Sequence, residues 1–175
     1  MYTLASDEKA TSIFTYTYDG LFRGEVVTKQ SVRISTWLRT DAAPDYIHLY
    51  NVQAIEITGG PIKPVAFAEM FLPTTTVIGM HMAPPARDPV DYDEREGNRV
   101  LLPIVFLMGR FSINGKIRIS TATDLATSLT ISRQKWMSIY EADVHSPHLP
   151  QMPSIQVPML LVRPMEVSFC LPTTA

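Results

Sequence analysis

The chain is 175 residues long, 46% hydrophobic and 18% charged, with a net charge of −2. That is enough apolar material for a buried core and too little charge for a disordered chain, while the single Cys170 excludes an intrachain disulfide framework and a multi-cysteine zinc site. No segment gathers the positive charge that several phosphates require, so nucleic acid is a disfavoured partner, though folding can still assemble a local patch.

Fourteen prolines against eight glycines point to many short elements, since proline is poorly tolerated inside helices and central strands. The N-terminal stretch Met1–Lys9 lacks the basic start and apolar run of a signal peptide. No apolar stretch approaches the roughly 20 residues of a spanning helix. A lone thiol fits a reducing compartment. The expectation is a soluble, cytoplasmic protein with no membrane partner and no cofactor.

In chain order, Phe14, Tyr16 and Tyr18 alternate with threonines, the period-two pattern of a half-buried strand. A glycine-bearing strand around Gly24 follows, then a short helical stretch over Ser35–Arg39. Strand patterns resume at Tyr46–Val52, at Ile55 and Ile57, and at Met70–Pro73. Gly59-Gly60-Pro61 is isolated and reads as a turn, not a phosphate cradle. Ala83–Arg99 is rich in proline and charge and has no apolar periodicity, the composition of an exposed linker. Beyond it, Phe111, Ile113, Ile117 and Ile119 alternate with polar residues, with Gly115 on the apolar register at a bend or close approach. Asp124–Leu129, after a candidate N-cap at Thr123, is the second helical stretch, and Val167, Phe169 and Leu171 form the last alternation.

The two flanks of the linker match. At an offset of 91, Gly24 falls on Gly115, and Ile34, Trp37 and Leu38 fall on Leu125, Ser128 and Leu129. One residue is then lost, so that Tyr46–Val52 falls on Trp136–Ala142. The offset returns to 91 at Met70–Pro73 and Leu161–Pro164. Tandem duplication explains the shared order; chance alignment of two β-rich stretches is the plainer alternative. The expected fold is all-β: a duplicated, strongly bent sheet or partly open barrel of SH3-like or Sm-like kind, related by a pseudo-twofold. Its parts are a first repeat with an N-terminal extension (1–82), an exposed Pro-rich acidic linker (83–103) and a second repeat (104–175).

Few residues suggest chemistry. Arg33 and Arg39 flank the first helix with Trp37 between them, and an aromatic among arginines can stack on a base or hold an acidic partner. The plainer expectation is that Trp37 closes the barrel and the arginines are solvated. His48 alternates with Ile47 and Leu49 on an outer strand face, and it or His145 would line a pocket between the repeats. Asp143, His145 and His148 are the one cluster of metal-type residues. Ser-Pro separates the two histidines on a loop, so no element fixes their geometry and a solvated loop explains them equally. His81 is alone, Cys170 reads as buried inert packing in an alternating strand, and the apolar-segment methionines, Met80, Met82, Met108, Met137, Met159 and Met165, read as core filling. No nucleophile, dinucleotide or Walker-type motif is present.

The segments Leu21-Phe-Arg-Gly-Glu-Val-Val, Arg33-Ile-Ser-Thr-Trp-Leu and Tyr46-Ile-His-Leu-Tyr-Asn-Val resemble a widespread family of uncharacterised small bacterial β proteins. Its pattern is a glycine strand, an Arg-(Leu/Ile)-Ser-Asp-x-Leu-Asn turn and a Phe-(Ile/Leu)-x-Leu-x-(Asp/Asn) strand. Thr36 and Arg39 depart from the polar pair of that turn, the likeness covers about forty residues of the first repeat, and it implies no activity. A weaker likeness is to Sm-like and SH3-like barrels; the loop with which Sm-like rings bind RNA is not recognisable, and fold likeness alone does not license the function.

The leading expectation is a non-enzymatic binding or scaffold module acting through β surfaces, with a protein partner or a homo-oligomer. The first rival is an Sm-like nucleic-acid binder with a basic stripe of Arg23, Arg33, Arg39, Lys116, Arg118 and Arg133. The second is a small-molecule or enzyme site between the repeats.

Overall fold

The computed structural model describes residues 2–40, 43–57 and 63–172; the Gly59–Pro61 turn lies outside them. Five strands precede residue 83: β1 (Glu8–Tyr16), β2 (Gly20–Lys29), β3 (Tyr46–Glu56), β4 (Val65–Pro73) and β5 (Gly79–Met82), with a one-turn helix α1 (Ile34–Trp37) between β2 and β3. Five follow: β6 (Arg99–Met108), β7 (Phe111–Ser120), β8 (Met137–His145), β9 (Ile155–Val162) and β10 (Ser168–Cys170), with α2 (Leu125–Ile131) between β7 and β8. The fold is all-β. Among the described residues, no helix is long and apolar enough to cross a membrane.

All ten strands lie in one open antiparallel sheet of order β10-β6-β7-β8-β9-β5-β1-β2-β3-β4. The order reads as the same five-strand run twice. In each half the first four strands form a meander, a 3-10 turn follows (Thr74–Thr76, Pro164–Glu166), and the fifth strand returns beside the first. The halves meet where β5 pairs with β9, Gly79 opposite Val162 and Met80 opposite Leu161, and the Arg163 N–H extends this seam by donating to the Ile78 carbonyl at 2.9 Å. A pseudo-twofold would have set like edge against like edge; the seam instead joins a fifth strand to a fourth, a head-to-tail relation.

The bends have a common cause. Opposite Gly24, β3 carries two residues where β2 carries one, and opposite Gly115, β8 does the same. These are bulges, which kink a strand and tighten its twist. Asn51 (φ 50°) and Glu141 (φ 49°) supply the left-handed residue of each. A side-chain contact pins both: the Asn51 amide donates to Glu25 at 2.8 Å, and Glu141 pairs with Lys116 at 2.5 Å.

The correspondence slips along the chain. Ile13 faces Gly24 as Ile104 faces Gly115, an offset of 91. Leu49 faces Met70 as Ile139 faces Leu160, an offset of 90 where the sequence suggested a return to 91. Phe14 faces His81 as Val105 faces Cys170, an offset of 89.

Two apolar clusters form the core, and each mixes the halves. One centres on Ile104, Phe106, Ile113 and Ile139 and takes in Tyr16 and Ile78; the other centres on Ile13, Ile47 and Leu49 and takes in Trp136 and Leu161. β6 starts at Arg99, so the last five residues of the expected linker, 99–103, are strand. Asp124, not Thr123, caps α2, its carboxylate accepting from the Thr127 N–H at 2.7 Å. Cys170 is exposed, because β10 is an outer strand with a single neighbour among the described residues. Met80, Met108, Met137 and Met159 are core, whereas Met165 stands bare.

Candidate functional site

The linker is tied down at Asp91, whose carboxylate receives Arg39 from the first half and Ser138 and Tyr140 from β8. The Tyr140 hydroxyl donates to it at 2.5 Å and the Ser138 hydroxyl at 2.8 Å, and Arg39 also reaches Ser138. Burial works to raise the Asp91 carboxyl, but the hydrogen bonds from Tyr140, Arg39 and Ser138 outweigh it and hold the group below its ordinary value. Burial, then the bond to Asp91, pushes the Tyr140 hydroxyl far up. Nearby, Arg118 lies over the Tyr92 ring at 4.7 Å and donates to Glu96 at 2.8 Å. These groups border a pocket of about 510 Å3 that also touches Arg99, Ser128 and Met137. A general base needs a pKa near the working pH. Asp91 is shifted the other way and saturated with donors, which makes it an anchor.

His81 is sealed inside β5 at 2% exposure. Its Nδ1 can only donate to the Met82 carbonyl, at 2.8 Å, so Nε2 accepts from the Tyr16 hydroxyl, also at 2.8 Å. Burial pushes its pKa down to about 4, which keeps the ring neutral. It serves the core.

The outer face of β3 and β4 is different. His48 stacks on its cross-strand partner Phe71 (ring centroids 4.1 Å apart, planes at 20°) and on Tyr50 (4.1 Å), which in turn meets Tyr2 at 4.9 Å. His48 Nε2 lies 2.9 Å from Glu69. Phe71 and Tyr46 are exposed on this face, and Phe67 and Val65 are exposed further along β4, opposite the buried Val52 and Ala54; among the described residues β4 has a neighbour on one side only. An exposed apolar row along an unpaired strand edge offers both main-chain hydrogen bonds and side-chain pockets to an added strand.

The sequence-derived candidates separate on this framework. Arg33 is exposed at the N-terminus of α1, Trp37 packs half-buried on the first-half core, and Arg39 is committed to Asp91. Only His48 lies on the aromatic face. Asp143 and His145 are on β8 and His148 follows in an exposed turn; among the described residues, no three His, Cys, Asp or Glu side chains come together to hold a metal ion. Of the six residues of the basic stripe, Arg39, Lys116 and Arg118 are ion-paired. Phe71 and Phe67 were not singled out from sequence. The signal was there: Val65–Pro73 is apolar on both registers, the pattern of a strand covered on both faces, and here Val65–Glu69 is exposed on both registers, with only Leu72 buried.

No protein-family profile, no curated protein and no solved structure matches the chain.

Proposed function

We propose that the chain is a non-enzymatic binding or scaffold module that works by adding β structure at its β4 edge, over the aromatic face of β3 and β4. One observation carries this: Phe71, at 61% exposure, stands stacked on His48 in a strand that has no outer neighbour among the described residues. An uncovered apolar edge of this length is an aggregation template, and natural sheets blunt such edges with charge, proline or a covering segment. Between Val65 and Leu72 the only charge is Glu69, so a covering partner supplies what the sequence omits. The same proposal takes the two halves as copies of one unit. An Sm-like nucleic-acid role is less well supported, because half of the basic stripe is neutralised by carboxylates.

The test is recovery of the tagged full chain from its native host, with intact-mass measurement, alongside Phe71→Lys. The wild type should carry a stoichiometric partner chain that the variant loses. Equal behaviour of the two, or salt-dependent retention of RNA or DNA by the wild type, would overturn the proposal.

A further inference from the structure

We infer that the chain which covers β4 is a second copy of itself, whose β10 pairs antiparallel with β4, repeating between molecules the seam that β9 and β5 make within one. This rests on the edge-binding function proposed above and names its partner.

The seam inside the chain shows what a fourth-strand edge needs. Leu161 of β9 and Trp136, just before β8, plug the first-half core and are 1% and 3% exposed. By the offset of 90, their counterparts at the outer edge are Phe71 and Tyr46, and these are 61% and 56% exposed. Equivalent positions are therefore closed at one edge and bare at the other.

The acceptor side is incomplete in the complementary way. At the seam the accepting strand is β5; its counterpart β10 has no outer neighbour among the described residues. Behind the seam, Ile34 and Leu38 are buried, whereas their counterparts Leu125 and Leu129 in α2 are only partly covered. Met165 and Leu171, both exposed, flank β10. One chain thus carries an unfilled plug at one end of its sheet and an unfilled socket at the other. A head-to-tail contact of this kind either closes into a ring or continues as a filament.

The offsets fix the expected register. Gly79, Met80 and His81 correspond to Ser168, Phe169 and Cys170, and Val162, Leu161 and Leu160 to Leu72, Phe71 and Met70. With Gly79 opposite Val162 at the seam, Ser168 should face Leu72 of the next chain, Phe169 should face Phe71, and Cys170 should face Met70. One bond is lost. Pro73 stands where Arg163 donates to Ile78 and has no N–H, so the contact between chains is the weaker one and opens first on dilution.

The test uses the full chain in a sedimentation or native-mass dilution series. Wild type should form multi-chain species; Phe71→Lys and Cys170→Lys should each fall to the 19.6 kDa of one chain, with urea midpoints equal to that of wild type diluted until it is a single chain. Mixed, those two variants retain one good edge each and should form a two-chain species and stop there. Met70→Cys should give an oxidised ladder through Cys170 that Met70→Cys/Cys170→Ser does not give. A monomeric wild type overturns the inference, as does an assembly that survives both lysine variants or fails to form the ladder. If the monomer still retains a foreign chain through Phe71, the edge-binding function stands and self-pairing falls; if it retains none, both fall.

Discussion

Gly115→Ala tests whether the bulges set the bend. A Cβ at Gly115 would stand 2.7 Å from Ile139 Cγ2 and 3.2 Å from the Tyr140 carbonyl oxygen. Ile139 is fully buried, so its methyl group has no free volume to enter. Overpacking of this sort costs about 1–3 kcal/mol, offset by about 0.4–1 kcal/mol from the lower entropy of the unfolded chain. The net loss should be about 1–2 kcal/mol, a Tm drop of about 2–8 °C for a chain of this length. At Gly24 the nearest contacts are 3.2 Å to Leu49 Cβ and the Tyr50 carbonyl, so Gly24→Ala should cost less, about 0–1 kcal/mol. Urea unfolding of both variants gives the comparison. In an Ile139→Ala background the clashing methyl is gone, and Gly115→Ala should become close to neutral. Equal costs at the two glycines, or no coupling to Ile139, would refute the steric account.

His81 makes stability pH-dependent in a definite window. Its folded pKa of about 4 lies below the 6.5 of the unfolded chain, so between those values the unfolded state binds the extra proton. Stability is full above pH 6.5 and falls by about 3 kcal/mol as pH drops to 4; urea midpoints should show this loss in wild type and not in His81→Gln. Asp91→Asn removes the charge that holds Arg39, Ser138 and Tyr140, and should cost about 1–2 kcal/mol and speed proteolysis within 83–98, read by limited digestion. Glu141 is left-handed without being glycine. Glu141→Val should therefore lose about 1–2 kcal/mol in thermal melts while Glu141→Gly stays within about 0.5 kcal/mol, since only the β-branched residue resists that backbone.

The elements that local pattern controls were legible. Alternation along Phe111–Ile119 marks β7, Gly115 marks its bend, the match of Gly24 to Gly115 marks the corresponding strand β2, and the match of Tyr46–Val52 to Trp136–Ala142 marks the strands facing them. The sequence suggests 91 at Met70 where the register has 90, because few identities anchor the alignment there. Cys170 was expected inside, since alternation reports a face and not whether an outer neighbour exists. The seam left no trace: pairing between residues 79–80 and 161–162 is a long-range choice that no local period encodes. Arg39 was noticed for its aromatic neighbour, yet its partner lies 52 positions away in a segment whose composition signalled only exposure. On the outer face, alternation with Ile47 and Leu49 places His48 outward, whereas phenylalanine in a strand signals core and Phe71 is exposed instead.

The seam also sets an order of events during synthesis. β5 is translated long before its partner, since Gly79 awaits Val162. At about 5–20 residues per second, the 83 positions from Gly79 to Val162 take the ribosome about 4–17 s. Throughout that interval the nascent first half exposes β5 as well as β4, and the sockets that Trp136 and Leu161 will fill stand open. A growing chain in that condition can be captured by another ribosome's product at the same stage, so slow translation of the second half should favour entangled, misassembled molecules over correctly closed ones.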